Sequence, residues 1–319
     1  MSDNTSLPER LYLDFDSFFA SAEQHSNPAL RGKPIGVVAL DSAHTGCIAV
    51  SREAKALGVK TNMPAREARV LVHDMIFVVA RPDVYVRLHK RILAVIETVV
   101  PIQHVRSIDE VVCALLPSEG RQRQALAAQI KAALLQEFSP VLTCSIGMAP
   151  TELLAKIAAE RQKPDGTLVL DVAMLPAALA DLKLEKLPGV GDGMRARLAA
   201  AGITDFPALW ALAPKQARAI WGNVEGERFS QELHGTHAPR SATRKRMFGH
   251  SRVLPRDWRG PEKVEDCARQ LLAGAARRLR RTNLRASKLS LSLRSQRLRS
   301  TRAKSAQAQR WQRGRQFAP

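Results

Sequence analysis

Leu11-Tyr12-Leu13-Asp14-Phe15-Asp16 is a short apolar run that closes on two acids, and it reads as a buried strand whose end carries charge. Far along the chain, Ser107-Ile108-Asp109-Glu110 sets a second acid pair at the turn between two strand-like stretches within His104 to Leu116. In a sheet, a strand end and a neighbouring hairpin tip can lie side by side, so these acids could share one site. Packed carboxylates repel unless a cation neutralises them, and hard oxygen ligands suit magnesium. Two carboxylates bridging two metals, with a third on one ion, would serve phosphoryl transfer. On spacing alone, ordinary surface acids at strand ends are the simpler reading.

Outward from that strand, Pro34 to Leu40 and Gly46 to Val50 read as further apolar strands. Ser51 opens a short helix stopped by Gly58, and Pro64 starts another that ends near Val72. Asp83 to about Val99 is a long amphipathic helix with Val84, Leu88, Ile92, Val95, Ile96 and Val99 on one stripe, ended by Pro101. Arg121 to Phe138 is a helix, Val141 to Ile146 a strand, Thr151 to Arg161 a helix and Thr167 to Leu170 a strand. Helices alternating with strands of this length point to an α/β or α+β sheet domain. From Val172 to about Leu233 the pattern turns all-helical, and His237 to Arg246 is polar, basic and without periodicity, as a linker would be. The last module reads as strand (Arg246 to Leu254), helix (Pro261 to about Arg281) and strand (Lys288 to Gln296).

With 319 residues the chain has room for two or three small domains. Met1 to Arg10 lacks the apolar stretch of a signal peptide, and no run approaches the length of a membrane span. Cys47, Cys113, Cys144 and Cys267 form no C-x-x-C pair and read as small buried residues of a reducing cytoplasm. The net charge of +19 is confined to the end of the chain: Arg240 to Pro319 holds 23 basic and 4 acidic residues, while the first 239 residues balance. A solvated tail is the bland explanation; the regular patterns in that region favour a folded module for a polyanion. Charge alone does not distinguish DNA, RNA and an anionic membrane.

Leu13-Asp14-Phe15-Asp16-Ser17-Phe18-Phe19-Ala20-Ser21-Ala22-Glu23 resembles the opening motif of Y-family DNA polymerases, in particular the bacterial polymerase IV branch. Ser107-Ile108-Asp109-Glu110 is similar to their second catalytic motif. Asn27 to Pro34, Glu53 to Val59, Lys156 to Ala159 and Lys163 to Gly166 match further segments in the family's order. The resemblance implies that Asp14 and Asp109 bridge two Mg2+ ions, that Glu110 holds the ion nearer the primer end, and that the Phe15 carbonyl completes the other. Asp16 is then a support rather than a ligand. Phe19 aligns with the steric gate that excludes a ribose 2′-hydroxyl by bulk, and Phe18 beside it fits a core position better. Arg52, Lys55 and Lys163 align with contacts to the incoming triphosphate. The family often has tyrosine at the position of Arg52 and arginine at that of Lys55.

Leu187-Pro188-Gly189-Val190-Gly191, between helical stretches, has the helix-hairpin-helix form, in which Gly189, Val190 and Gly191 would offer backbone N–H groups to a DNA phosphate. In the last module Leu289, Leu291 and Leu293 alternate with Lys288, Ser290, Ser292 and Arg294. One face would pack on the helix through Val264, Leu271, Leu272 and Leu279; the other would present cations and hydroxyls to DNA. This resembles the family's little finger, although the resemblance stops near Trp311 to Pro319, so the module is expected to be incomplete. It also shows no clamp-binding tail, which leaves a sliding-clamp partner open.

The expected architecture is α+β, a right-handed polymerase with a mixed-sheet palm (1–17 and 81–170), small fingers (18–80), a helical thumb (171–237), a linker (238–246) and a partial little finger (247–319). The expected activity is template-directed, low-fidelity translesion synthesis on primer-template DNA from deoxynucleoside triphosphates, by a monomer in the bacterial cytosol. A non-catalytic DNA-binding relative and a palm-type nucleotidyl cyclase are the rival readings. The three intact acids weigh against the first, and the helix-hairpin-helix with its basic module against the second.

Overall fold

In the computed structural model, which describes residues 9–238 and 247–293, β1 (Arg10–Phe15) is the middle strand of a five-stranded sheet. The chain divides into two units, Met1–Arg240 and Ser241–Pro319. After β1 the first unit runs α1 (Phe18–Ser26), β2 (Ile35–Val38), β3 (Cys47–Val50), α2 (Arg52–Ala56), α3 (Ala65–Leu71) and β4 (Ile76–Val79). It continues with α4 (Pro82–Glu97), β5 (Ile102–Val105), β6 (Glu110–Ala114), α5 (Pro117–Arg121), α6 (Arg123–Glu137), β7 (Cys144–Ala149), α7 (Glu152–Arg161) and β8 (Thr167–Val169). Short 3-10 turns lead into α8 (Asp192–Ala200), α9 (Phe206–Trp210), α10 (Pro214–Trp221) and α11 (Val224–Leu233). No helix among the described residues is long and apolar enough to cross a membrane.

The large sheet has the order β5-β6-β1-β7-β8 and is antiparallel except between β7 and β8. Both faces of β1 are covered, which is why its sequence is apolar nearly throughout instead of alternating with polar residues. Leu11, Leu13 and Phe15 enter a core shared with Leu88 and Ile92 of α4 and Ile130 and Leu134 of α6. Tyr12, on the opposite pleat, enters a second core with Leu154 and Ala158 of α7 and with the helices that follow. The α7 helix starts at Thr151, whose hydroxyl caps Leu154 N at 3.3 Å and donates to the Glu232 carbonyl of α11 at 2.8 Å. Its inner face is small, with Ala155, Ala158 and Ala159 buried against β7. Opposite them stands Gly147, where an added Cβ would lie 1.9 Å from the Ala155 carbonyl oxygen and 2.4 Å from Ala159 N.

A second sheet, β3-β2-β4, is antiparallel between β2 and β3 and parallel between β2 and β4, and it packs with Ala54, Ala65, Ala68 and Val72 in its own core. The β4 strand was not expected: Ile76-Phe77-Val78-Val79 is a four-residue apolar run with no alternation of polar and apolar residues to mark it. Two helices also differ from expectation. The stretch from Arg121 is broken at Gln122 into α5 and α6. On α4 the buried stripe is Tyr85, Leu88, Ile92 and Ile96, while Val84, Val95 and Val99 lie at its margin, half-buried. Tyr85 joins the stripe because its hydroxyl finds a partner: it donates to Glu23 Oε1 at 2.7 Å, and Glu23 also accepts from Arg81 Nε at 3.1 Å. This buried cluster fixes α1 against the start of α4.

The second unit contains α12 (Pro261–Arg281), begun by proline at its first turn, where a missing N–H costs nothing. The strands expected on either side of it are absent among the described residues, and Leu289, Leu291 and Leu293 are 52%, 69% and 60% exposed instead of seated on the helix. Alternation encodes which face a strand would bury, but a strand forms only where a neighbour completes its hydrogen bonds. Residues 239–246, Arg294 and the stretch Trp311 to Pro319, where the resemblance stops, lie outside the described residues.

The contact between Gly147 and α7 generates a direct expectation. Gly147→Ala forces a methyl into backbone atoms that cannot turn aside, and should destabilise the first unit by about 3 kcal/mol. Denaturant unfolding of both proteins measures it; an unchanged midpoint would mean that α7 can move off the strand.

Candidate active site

Pairing of β1 with β6 sets Asp14 directly across from Glu110, and pairing with β7 sets it across from Ser145. The Phe15 N–H donates to the Asp109 carbonyl at 2.9 Å, so the tip that carries Asp109 is stitched to the end of β1. The acids expected to act together are therefore at one end of one sheet. Each has a partner there. Lys163 Nζ lies 2.7 Å from Asp14 Oδ2 and 2.8 Å from Glu160 Oε1. Lys156 pairs with Glu110, and the Ser107 hydroxyl donates to Asp109. Among the described residues no three His, Cys, Asp or Glu side chains surround one point closely enough to hold an ion.

The electrostatics nevertheless fit a hard divalent cation. Burial pushes the Asp14 carboxyl up to about 7, with Lys163 pulling against that rise and Glu160 adding to it. Burial alone would lower the Lys163 ammonium, but Asp14 and Glu160 hold it above its ordinary value. Burial and then the nearby Glu110 raise the Tyr12 phenol well beyond the usual range. Four carboxylates, Asp14, Asp109, Glu110 and Glu160, meet two ammonium groups, Lys163 and Lys156, and that excess of negative charge attracts further positive charge.

Around the acids, Asp16 is buried and its carboxylate accepts hydrogen bonds from Thr143 Oγ1 (2.8 Å), Ser145 Oγ (2.9 Å) and the Asp165 N–H (2.8 Å). Phe18 is buried in the core, whereas Phe19 is half-buried and lies over Tyr85 with ring centroids 4.6 Å apart. Arg52, at the first turn of α2, donates to Thr143 Oγ1 at 3.4 Å, while Lys55 is exposed on the same short helix. The α1 helix begins immediately after the acids. Ser17 before it has φ 52° and no side-chain cap, its buried hydroxyl makes no hydrogen bond, and the first turn carries no acid.

Beside Glu110 opens a cleft of about 480 Å³ lined by Tyr12, Arg106, Lys156, Gly189 and Trp221. Gly189 has φ 83° and no neighbour where a Cβ would stand, and Gly191 caps α8 with similarly open surroundings. Val190 differs from the expectation. Its side chain is buried and its N–H is already bonded to the Leu187 carbonyl at 3.0 Å, so it has no donor to offer. In the second unit Lys288, Ser290 and Ser292 are exposed, and Arg294 is outside the described residues. Lys156 and Glu160 were not singled out as site residues from the sequence. Their spacing on α7, one turn apart with Lys163 just beyond the helix end, was the available signal.

Comparison with known proteins places most of the chain in one family. The impB/mucB/samB family matches residues 13–160, and the C-terminal domain of the same family matches residues 245–314. The chain is 36% identical over 281 residues to the DNA polymerase IV of Moorella thermoacetica, covering 85% of this chain and 69% of that protein. Among solved structures, an insertion ternary complex of Dbh DNA polymerase superposes with a TM-score of 0.62 at 29% identity, covering 72% of this chain and 68% of the other. A Y-family DNA polymerase chimera of Dbh and Dpo4 does so with a TM-score of 0.71 at 25% identity, covering 84% and 79%.

The buried Asp14 carboxyl has a consequence for stability in the presence of a chelator. The unfolded chain releases this proton near its ordinary value of 3.8 and the folded chain at about 7. Between those values the folded state binds more protons, so Asp14 makes stability fall as pH rises through that window. Asp14→Asn removes the effect, so its stability relative to the parent should rise by about 2 to 3 kcal/mol from pH 5 to pH 8. Unfolding at the two pH values measures the difference; an advantage that does not change with pH would refute the burial argument.

Proposed function

Since the chain belongs to the impB/mucB/samB family, and is thereby a DNA-directed DNA polymerase of the Y-family, polymerase IV-like kind, we propose that Asp14, Asp109 and Glu110 carry its phosphoryl transfer with two Mg2+ ions. The observation that carries this reading is the pairing of Asp14 with Glu110 across β1 and β6, with Asp109 tied to Phe15 and ammonium groups on two of the three acids. Asp14 and Asp109 would serve both ions, Glu110 would hold the one nearer the primer end, and the Phe15 carbonyl would hold the other. When bound, the ions activate the primer 3′-hydroxyl and neutralise the departing pyrophosphate.

The remaining roles belong to the chain. Lys163 gives up Asp14 for the triphosphate, with Arg52 and Lys55 approaching from α2. The N-terminus of α1, with no side-chain cap and no acid in its first turn, suits the same anion. Phe19, held over Tyr85 at the start of that helix, stands where a ribose 2′-hydroxyl would project. Gly189 and Gly191 receive a duplex phosphate, and the basic C-terminal module, with Lys288, Ser290, Ser292 and Arg294, tracks the backbone.

In domain terms, residues 1–17 and 81–170 form the palm, 18–80 the fingers, 171–237 the thumb, 238–246 a linker and 247–319 the little finger. The small second sheet, as fingers, presses little on a nascent base pair, which favours low fidelity and tolerance of damaged templates. The enzyme works as a monomer in the bacterial cytosol, a placement supported by its bacterial polymerase IV relatives.

Primer extension on a defined template tests the reading. Asp109→Ala should reduce extension by about 1,000-fold or more while DNA affinity stays near that of the parent, because the carboxylate serves the ions rather than the duplex. Substantial extension by this variant would remove the assignment. Phe19→Ala should narrow the preference for deoxynucleotides over ribonucleotides by about 10- to 100-fold. A parent-like ratio in nucleotide competition assays would place the gate elsewhere, with Phe18 the next residue to examine.

A further inference from the structure

We propose that Asp16 is a positioning residue for nucleotide binding, holding Lys163 and Arg52, two cations from distant parts of the chain, against one triphosphate site; this rests on the role given to those cations above. The Asp16 carboxylate is 4% exposed and accepts three hydrogen bonds. Oδ1 accepts from Ser145, and Oδ2 accepts from both Thr143 Oγ1 and the Asp165 N–H. Its backbone is bound as well: Asp16 N donates to the Thr143 carbonyl at 3.0 Å, and its carbonyl accepts from Ser21 Oγ at 2.7 Å. A carboxylate committed to three donors has little capacity left to ligate a metal.

Two of those donors lead outward to cations. Along the first relay, Arg52 Nη1 donates to Thr143 Oγ1 at 3.4 Å, and the Thr143 hydroxyl donates in turn to Asp16 at 2.8 Å. A negative charge at the end of this relay orients the hydroxyl so that its oxygen faces the guanidinium. Along the second, the Asp165 N–H anchors the turn that carries Lys163. The far side of that turn is gripped by Lys131, whose Nζ donates to Asp165 Oδ1 at 3.0 Å and to the Gly166 carbonyl at 3.1 Å. Gly166 closes it so tightly that a Cβ there would meet the Gln162 carbonyl oxygen at 1.9 Å. Held from both sides, the turn delivers Lys163 to the acids, 2.7 Å from Asp14. An asparagine at position 16 keeps the shape and can turn its NH2 to the Ser145 hydroxyl, which accepts as well as donates, but it removes the negative charge from both relays. The Thr143 hydroxyl and the Asp165 N–H are then left with a neutral carbonyl in place of a carboxylate, so the turn and the hydroxyl are anchored more weakly while the fold keeps its strand end.

The test is steady-state primer extension by the full chain with Mg2+, titrating one deoxynucleotide, alongside DNA-binding and thermal-unfolding measurements. Extension by the parent, together with a raised nucleotide KM for Lys163→Ala, secures the cation roles; a parent that does not extend, or a Lys163→Ala with unchanged KM, sinks those roles and this inference with them. With the cation roles secure, Asp16→Asn should raise the nucleotide KM about tenfold, a loss comparable to one charge-assisted hydrogen bond, with kcat and DNA affinity changed less than about threefold. Combined with Lys163→Ala, it should raise KM by less than the product of the two single effects, because part of its action runs through Lys163. An unchanged KM, a loss confined to kcat, or full multiplication of the two effects overturns the inference while leaving the polymerase reading standing. If Asp16→Asn does not fold, Thr143→Val decides, since it cuts only the Arg52 relay. It should raise KM about threefold, and a parent-like KM overturns the proposal.

Discussion

Buried carboxylates have to be compensated inside the protein, and the end of β1 presents two of them within three residues. Asp16 is compensated by hydrogen-bond donors from β7, from Thr143 just before it and from the Lys163 turn, and Asp14 by an ammonium that reaches over from beyond α7. The two solutions differ in kind. Donors aimed at Asp16 come from backbone and short side chains and leave little freedom. The charge on Asp14 is matched by a long, flexible side chain that can leave when another cation arrives. The same segment that supports one acid thus leaves the other available.

This arrangement depends on covering β1 from both sides. One face meets α4 and α6, and the other meets α7, which brings Lys156 and Glu160 with it. The close approach is made possible by Gly147 on the strand and alanines on the helix, and the Thr151 hydroxyl ties the start of α7 to α11. The helical part of the first unit is therefore joined to the acid end of the sheet through α7 and the core it shares with Tyr12, and the cleft beside Glu110 is lined by residues of both.

Much of this was legible in the sequence, for different reasons at different places. β1 and the α2 and α7 starts were readable because an apolar run ending in acids, and Ser51 and Thr151 before helical stretches, each have a local cause. The acids were readable as a set only through resemblance, since nothing local says that Asp14 faces Glu110; that fact lives in strand register. β4 was missed because four apolar residues carry no period. Tyr85 was missed from its stripe because its burial relies on Glu23, far away in sequence. The Leu289 to Leu293 alternation misled because pattern supplies a face but not a partner strand. Val190 misled because a motif names residues without saying which N–H groups the turn itself consumes.

Gly147 also bears on motion. With backbone packed on backbone at Gly147 and only alanine side chains beside it, α7 has little room to slide along β7, and such sliding is one way in which packed helices accommodate ligands. The strand and the helix should move as one piece, and their amides should rank among the slowest in the unit to exchange with solvent deuterium. Accommodation at the acid site then falls to the lysine side chains rather than to the backbone that carries them.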